Sequence, residues 1–587
     1  MVRLSPTARV LAAVLGGLAL AAAFPGTDWW WTAVPGVALL VVAVAGTGVR
    51  AGLGLGLLHG LAFFLVLLRW TAEFVGPVAH ALAVLQAGFV ALAGALVVLV
   101  LRLGTPPHRV GHGWSASGAV RLCGQAVAAG AVWTGTEALR ARLPFGGFGW
   151  GRLAYSQADA PTLGLAALGG APLVTFAVAT AGAALGLGLL RLALLVGERR
   201  AARAHRTSPS SLTPRRTEGS RRVRGRRPAV VAPLVLAAGL VLVGAAVPRP
   251  TDAEAGTLVV AGVQGDVAEP GLEFNAERRA VLDNHVRGTL RLAEQVAAGE
   301  VPQPDVVVWP ENASDIDPFA NPDAAAQIRR AAEAVGAPIL VGTLVRGTVG
   351  TGLPETGPED DGLRNVVLEW DPETGPGQAY AKRHPVPFAE YVPYRDVFRR
   401  FSSQVALVRA DMVPGTEPGV FDVAGSRLGV LICFEPVEGD LVDDVVRAGA
   451  EMLVVPTNNA TFGFTDESVQ QLAISRVRAV EEGRAVAHIS TVGVSTLVAP
   501  DGSTGRRTAL YTPDVVVGEV PLRTSLTPAA RVGQWPELVL SLAGAAAALA
   551  GAVATQRRRR RDRPTTAGGR RHDDVVPPVP AGAGGPR

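Results

Sequence analysis

The apolar residues of this chain are unevenly distributed, and that unevenness constrains the fold more than any other feature. Apolar runs cluster in the first 250 residues and recur once near the C-terminus, bracketing a polar stretch. A membrane-spanning helix needs ~20 mostly apolar residues. Segments of that kind lie at about 10–24, 31–48, 52–69, 77–102, 119–139, 162–196, 228–247 and 537–554. They predict a membrane domain over residues 1–249 with seven transmembrane helices, a polar domain over 250–534, an eighth transmembrane helix over 535–556 and a basic, disordered tail over 557–587. The first segment also fits a cleaved signal peptide, since Arg3 and Arg9 precede an apolar stretch that ends in small residues. A mean hydropathy of +0.29 with 18% charged residues excludes a purely soluble protein.

Arginine sets the expected orientation, because Lys and Arg near short loops stay cytoplasmic. Arg50, Arg102, Arg109 and Arg121 flank short connections, the loop 198–227 carries eleven arginines, and "QRRRRRDR" follows the last span. With alternating helices all of these fall on one side, so both termini and the basic loop are predicted to be cytoplasmic and residues 250–534 to lie outside the cytosol. Arg140, Arg142 and Arg152 fall on the opposite side, against the rule. The basic loop lacks interleaved aromatic residues and reads as a topology determinant touching anionic lipid, with no nucleic-acid partner. The net charge of +5 hides an asymmetry, since residues 250–534 hold 40 acidic and 23 basic residues, a net of −17.

Within the polar stretch, short β-rich runs alternate with helical patterns. "TLVVAGVQ" precedes an amphipathic run from about Ala276 to Ala298, and "DVVVWPE" precedes "NPDAAAQIRRAAEAVG". "PILVGTLV", "RNVVLEW", "RLGVLIC", "EMLVVPTNN" and "AVAHISTVGVSTLVAP" follow, with helices near 439–449 and 466–482. Apolar runs of this length bounded by Pro, Gly and Asn suit strands buried on both faces. The pattern predicts an α/β domain with helices outside the sheets, in which chemistry sits just beyond the strand C-termini.

Cys433 ends one such strand. A free cysteine is ordinarily a small buried hydrophobe. The other cysteine, Cys123, falls on the cytoplasmic side of the predicted topology, so the two cannot pair. A lone thiol in an oxidising compartment is a liability unless it is protected or used. Use as a nucleophile needs a nearby cation or base, because a thiol of ordinary pKa ~8.5 is mostly protonated at neutral pH. Lys382 offers the cation, being the sole lysine among 55 Lys and Arg residues. A compact ammonium differs from a guanidinium in geometry, hydration and ease of proton loss. Glu311, directly after "VVVWP", is the candidate base, although alone it equally fits a turn cap. Glu390 and Glu435 are further acids, placed either to position the lysine or to face solvent.

The order Glu311 in "WPE", Lys382 in "KRHPVPFAEYVP" and Cys433 in "ICFE" resembles the Glu-Lys-Cys triad of the nitrilase superfamily. With such a domain inserted between the seventh and eighth spans, the chain resembles the membrane-bound branch of that superfamily, the apolipoprotein N-acyltransferases. "VQGDV" at 263–267, "NNATFG" at 458–463, "SRVRAVEEGR" at 475–484 and "WTGTEALRARLPFGGFGWGRLAYSQ" at 133–157 extend the likeness over nearly the whole chain. Gly149, Phe434, Asn459 and Thr461 depart from the family's pattern, all outside the triad.

The resemblance implies a multi-span α-helical membrane bundle plus an extracytoplasmic α/β nitrilase-like domain, an α-β-β-α sandwich, in a bacterial plasma membrane. The implied reaction moves an acyl chain from a phospholipid, through a cysteine thioester, to the N-terminal amine of a diacylglyceryl-cysteine lipoprotein in ping-pong order. Glu311 would be the general base, Lys382 the oxyanion stabiliser and Cys433 the nucleophile, with Glu390, Glu435 and Asn458 in support. Phe388, Tyr391, Phe462 and Trp150 are candidates for substrate contacts, as are Tyr394 and Phe464. The implied partners are a phospholipid acyl donor, a diacylated apolipoprotein acceptor and membrane lipid. HExxH, CxxC and GxSxG patterns are absent and His384 and His488 lack metal-ligand company, so neither a metal nor an organic cofactor is expected. Two other readings use the same residues: a membrane-tethered nitrilase-like amidase or hydrolase with water as acceptor, and a non-catalytic membrane assembly platform.

Overall fold

The computed structural model describes residues 4–76, 79–103, 116–206, 228–267, 278–347, 362–400, 408 and 410–561. Residues 207–227 of the basic loop and 562–587 of the tail lie outside them.

The helical part comprises α1 (Pro6–Ala22), α2 (Ala33–Val44), α3 (Val49–Leu67), the short α4 (Thr71–Val75), α5 (Ala79–Val100), α6 (Ala116–Arg140), α7 (Ala166–Arg206) and α8 (Pro228–Leu242), with α15 (Trp535–Arg561) added from the far end of the chain. A helix lies over each apolar segment read from the sequence. Val49–Leu67, Ala79–Val100, Pro161–Arg200 and Trp535–Arg560 are long and apolar enough to cross a membrane, and Pro6–Ala22, Trp30–Val44 and Val230–Ala246 are shorter. Near its start α7 breaks, because Gly169 and Gly170 leave helical geometry just before Pro172, a residue that cannot donate to the helical ladder. Small residues let α3 approach α5, where a Cβ on Gly56 would meet the Val90 carbonyl oxygen at 2.6 Å.

Two sheets form the α/β domain. The first contains β1 (Thr257–Gln264), β2 (Val306–Val308), β3 (Ile339–Arg346), β4 (Leu363–Asp371), β5 (Gly375–Ala381) and β11 (Asp514–Pro521), in the order β11-β1-β2-β3-β4-β5. The second contains β6 (Val420–Val423), β7 (Ser426–Val430), β8 (Met452–Thr457), β9 (Val486–Ser490) and β10 (Thr496–Val498), in the order β10-β9-β8-β7-β6. Central pairs run parallel and outer pairs antiparallel.

The two-residue period of a strand assigns the faces. Val260, Val306 and Val308 meet Val454, Ala487 and Ile489 between the sheets. Ala261, Val263, Val307 and Trp309 face the other way, onto α9 (Arg278–Ala297) and α10 (Pro322–Val335). On the second sheet Leu453, Val455 and Val486 pack under α12 (Gly439–Arg447) and α13 (Glu467–Glu482). The result is the helix-sheet-sheet-helix sandwich that the resemblance implies. Single turns α11 (Arg395–Phe398) and α14 (Pro528–Val532) complete the domain.

The two parts share a core. Phe434, Val437, Ile474, Val477 and Val480 lie in one apolar cluster with Trp150, Leu153 and Tyr155 of the helical part. Trp150 stacks on Phe434 with ring centroids 5.8 Å apart. Arg478 donates to the Pro436 and Val437 carbonyls and to the Tyr155 hydroxyl. The arginines that defied the charge rule are held by the fold. Arg140 donates to Gln86 and to the carbonyls of Phe148 and Trp150, while Arg142 and Arg152 each pair with Glu537 of α15 at 2.5 Å. These guanidinium groups are thus matched by partners inside the protein.

Candidate active site

Three turns meet at one end of the sandwich. Glu311 follows β2, Lys382 directly follows β5 and Cys433 lies just past β7, so each sits beyond a strand C-terminus. The backbone reverses sharply there. Asn312, Phe388 and Cys433 have φ of 56°, 64° and 56°, left-handed values that cost a non-glycine residue about 1–2 kcal/mol. The Cys433 N–H donates to the Pro456 carbonyl at 2.9 Å, which pins this turn to the end of β8.

Lys382 is 2% exposed, and its Nζ lies 3.3 Å from Glu311 Oε1 and 2.8 Å from Glu390 Oε2. Asn365 on β4 donates through one Nδ2 to the same two carboxylates, at 2.7 Å to Glu311 Oε1 and 2.9 Å to Glu390 Oε1. Burial pulls the Lys382 pKa down, but the Glu311 and Glu390 charges outweigh it and hold the ammonium well above its ordinary range. The second Glu311 oxygen accepts the Asn458 N–H at 3.0 Å, and Thr491 donates to the Glu311 carbonyl at 3.2 Å. Glu311 is therefore fixed at both carboxylate oxygens and along its backbone.

Burial pushes the Cys433 thiol far above its ordinary range, the Glu311 charge adds to that, and Lys382 opposes it. The resting side chain is a neutral thiol, so a nucleophilic step must remove its proton as the reaction proceeds. Thr457 Oγ1 and Gln471 Nε2 lie 3.4 and 3.7 Å from the sulfur, and Gln471 Nε2 also donates to the Cys433 carbonyl at 2.9 Å. Asn459 Nδ2 joins Gln471 Oε1 to Glu467 Oε2, so α13 braces the cysteine turn through a buried polar network.

The supporting acids differ in what they do. Glu390 touches Lys382 and accepts the Val386 N–H at 2.7 Å. Glu435 neither touches the lysine nor faces solvent. It is fully buried and accepts from the N–H groups of Ile432, Arg383 and His384 and from the Tyr380 hydroxyl. The bonds from Tyr380, Arg383 and His384 tie the cysteine turn to the segment that carries Lys382. Asn458 acts mainly through its N–H, and its side chain bridges Asn312 and the Ala460 N–H.

The aromatic candidates divide as well. Trp150 is 2% exposed, donates to Gln470 at 2.8 Å and is wedged between Trp70 and Phe434. Phe462 packs edge-on against Trp70. Phe388 clusters with Phe145 and Phe398, and its N–H donates to the carbonyl of half-buried Tyr391. Tyr394 and Phe464 are 73% and 72% exposed. Asn365, Thr457, Gln471 and Glu467 escaped the sequence reading. The signal for the first two was a polar residue inside an apolar run, as in "RNVVLEW" and "VVPTNN". Among the described residues no group of three or more His, Cys, Asp or Glu side chains is arranged to hold a metal ion.

A family model described as "Apolipoprotein N-acyltransferase N-terminal domain" matches residues 16–184, and one described as "Carbon-nitrogen hydrolase" matches residues 274–526. The apolipoprotein N-acyltransferase of Mycolicibacterium smegmatis is 40% identical over 560 residues, spanning 92% of this chain and 84% of that protein. That of Azotobacter vinelandii is 29% identical over 545 residues, spanning 92% of this chain and 93% of its own. Among solved structures, an amidase from Nesterenkonia sp. is 19% identical with a TM-score of 0.31, over 47% of this chain and 92% of its own. With the helical and α/β parts both matched, in this order and over nearly the full length, the chain belongs to the apolipoprotein N-acyltransferase family.

Proposed function

We propose that Glu311, Lys382 and Cys433 are the catalytic triad of this acyltransferase and that the acyl chain passes through a Cys433 thioester. One observation carries the assignment: the sole lysine of the chain is buried between Glu311 and Glu390, where its charge and that of Glu311 both bear on the partly buried thiol of Cys433. Glu311 takes the Sγ proton as sulfur attacks the ester carbonyl of a phospholipid. Lys382 stabilises the tetrahedral oxyanion, a contribution of about 3–4 kcal/mol where such donors have been removed from other enzymes. Collapse expels the lysophospholipid alkoxide, which recovers the proton from Glu311, and leaves the thioester. The N-terminal amine of a diacylated lipoprotein then attacks the thioester carbonyl, Glu311 accepts its proton, and as the amide forms the C–S bond breaks and the leaving sulfur takes that proton from Glu311, which restores the thiol and the carboxylate. A thioester suits an amine acceptor provided water is excluded, and the burial of Lys382 and Glu311 fits that requirement.

Both substrates carry acyl chains, so the reaction belongs at a membrane surface. In this reading residues 1–249 and 535–556 span the plasma membrane as seven helices and one, residues 250–534 stand outside the cytosol, and both termini are cytoplasmic. Intact-mass measurement of the purified protein after incubation with phospholipid tests the first half-reaction. An increment of one acyl chain that maps to Cys433 and is lost in Cys433→Ala is the expected result; an unmodified Cys433 would sink the assignment.

A further inference from the structure

Thr457 ends β8, and its carbonyl accepts the Thr491 N–H at 3.1 Å while the neighbouring Pro456 carbonyl accepts the Cys433 N–H at 2.9 Å. These backbone bonds hold the end of β8 against the cysteine turn and set the fully buried Thr457 hydroxyl 3.4 Å from Sγ. The same oxygen lies 2.8 Å from Gln471 Oε1. A hydroxyl has one proton to give, so it serves one of these two acceptors at a time.

The amides around it have no such choice. Ser490 donates to Asn459 Oδ1, which turns Asn459 Nδ2 toward Gln471 Oε1 at 2.9 Å and Glu467 Oε2 at 2.6 Å. Gln471 Nε2 donates to the Cys433 carbonyl at 2.9 Å, so Gln471 presents its oxygen to Thr457 and Asn459. Two donors therefore converge on Gln471 Oε1, and Asn459 keeps that buried acceptor satisfied when Thr457 turns away. What the hydroxyl does then depends on the sulfur. Neutral sulfur, in a thiol or a thioester, is a weak acceptor. A thiolate is charged, and hydrogen bonds to charged groups are roughly twice as strong as neutral ones.

We propose that Thr457 is a further catalytic residue, a donor that keeps its proton on Gln471 while Cys433 is a thiol or a thioester and turns it onto Sγ whenever the sulfur carries charge. That happens twice in a turnover, as Sγ loses its proton to Glu311 and again as the C–S bond breaks in the second half-reaction. Thr457 keeps its proton throughout and only changes acceptor. Both steps gain, since the donor makes the thiolate easier to form and a better leaving group. The role in turnover rests on the function proposed above, whereas the hydrogen bond to a Cys433 thiolate does not.

Cys433 is partly exposed, so iodoacetamide alkylation of full-length protein in detergent micelles reads the contact without any acyl substrate, with the Cys433 and Cys123 peptides separated by mass. Thr457→Val keeps the shape of the side chain and removes the donor. Its Cys433 thiolate population should fall about tenfold, the loss of one hydrogen bond to a charged group. Alkylation slows less, by about threefold, because a more basic thiolate is intrinsically more reactive. With phospholipid and then a diacylated lipopeptide, maximal acylation and discharge should each slow about tenfold at an unchanged half-saturating phospholipid concentration, the split left by losing a contact made only in the transition state. Thr457→Ala should match Thr457→Val, and Thr457→Ser, which keeps the hydroxyl, should recover most of the lost rate. Parent-like alkylation and discharge in the valine or alanine variant overturns the proposal. So does a serine variant as slow as both, or a half-saturating concentration that moves with the rate. A parent that forms no acyl adduct while its alkylation depends on Thr457 removes the proposed function alone. A parent that forms and discharges the adduct while Thr457→Val does so equally fast removes this inference alone.

Discussion

Lys382 carries the one ammonium in a chain that otherwise relies on arginine, and its surroundings explain why a guanidinium does not replace it. Nζ fits between Glu311 and Glu390 at 3.3 and 2.8 Å with almost no exposure, and Asn365 already occupies the other approach to both carboxylates. A planar five-donor fork is wider than an ammonium and would displace Asn365 or one carboxylate. Lys382→Arg therefore keeps the charge and loses the geometry. Acylation of Cys433 should slow by about 10²–10³-fold, the loss typical of one misplaced oxyanion donor. Quenched time points read by intact mass measure this, with a thermal melt as the folding control. A rate within a few-fold of the parent would show that any cation in this place suffices.

Helix α13 braces the cysteine turn, and its first turn holds a test of that bracing. Glu467 sits where the helix dipole favours a carboxylate by about 0.3–1 kcal/mol, yet burial dominates. At 3% exposed, and despite the Asn459 hydrogen bond, its pKa is pushed up to about 8, with the Glu311 charge adding to the rise. Below the ordinary value of 4.5 both folded and unfolded chains hold the proton. Between there and about 8 the unfolded chain releases it while the folded one retains it, so this group's contribution to stability is lost as pH rises through that window. Glu467→Gln removes the titration, so its melting temperature relative to the parent should rise from pH 4.5 to pH 8. A difference that stays flat with pH would refute the buried-acid account. The element scale also shows what a single sequence discloses. β1, β2, β3, β4, β8 and β9 are mainly apolar because both their faces are covered, which makes them legible. β5, as "GPGQAYA", goes unassigned because it is an edge strand with several exposed positions, and β11 goes unassigned as well, its partner β1 lying far away in sequence. Lys382 was legible against an arginine background. Asn365 and Gln471 were not, because a lone amide acquires its meaning only from the carboxylate or thiol that the fold brings to it.

At the scale of the whole molecule, the apolar helices and the α/β domain form one unit through the cluster that joins Trp150, Tyr155, Phe434 and Val477. The cysteine turn thus rests on the helical part through Phe434 and Val437. The proposed orientation makes a direct prediction. Ser503, exposed on the α/β domain, should, once replaced in Ser503→Cys, react with a membrane-impermeant maleimide in intact spheroplasts; protection until lysis would reverse the topology. The central claim, that a Cys433 thioester passes its acyl group to an amine, is tested most directly by a chase. Acylated protein, freed of phospholipid, is mixed with a diacylated lipopeptide, and both products are followed by mass spectrometry. The account predicts that the adduct disappears from Cys433 at the rate at which N-acyl lipopeptide appears, with little free fatty acid. An adduct that persists, or that is released as fatty acid while the lipopeptide amine stays free, would contradict it.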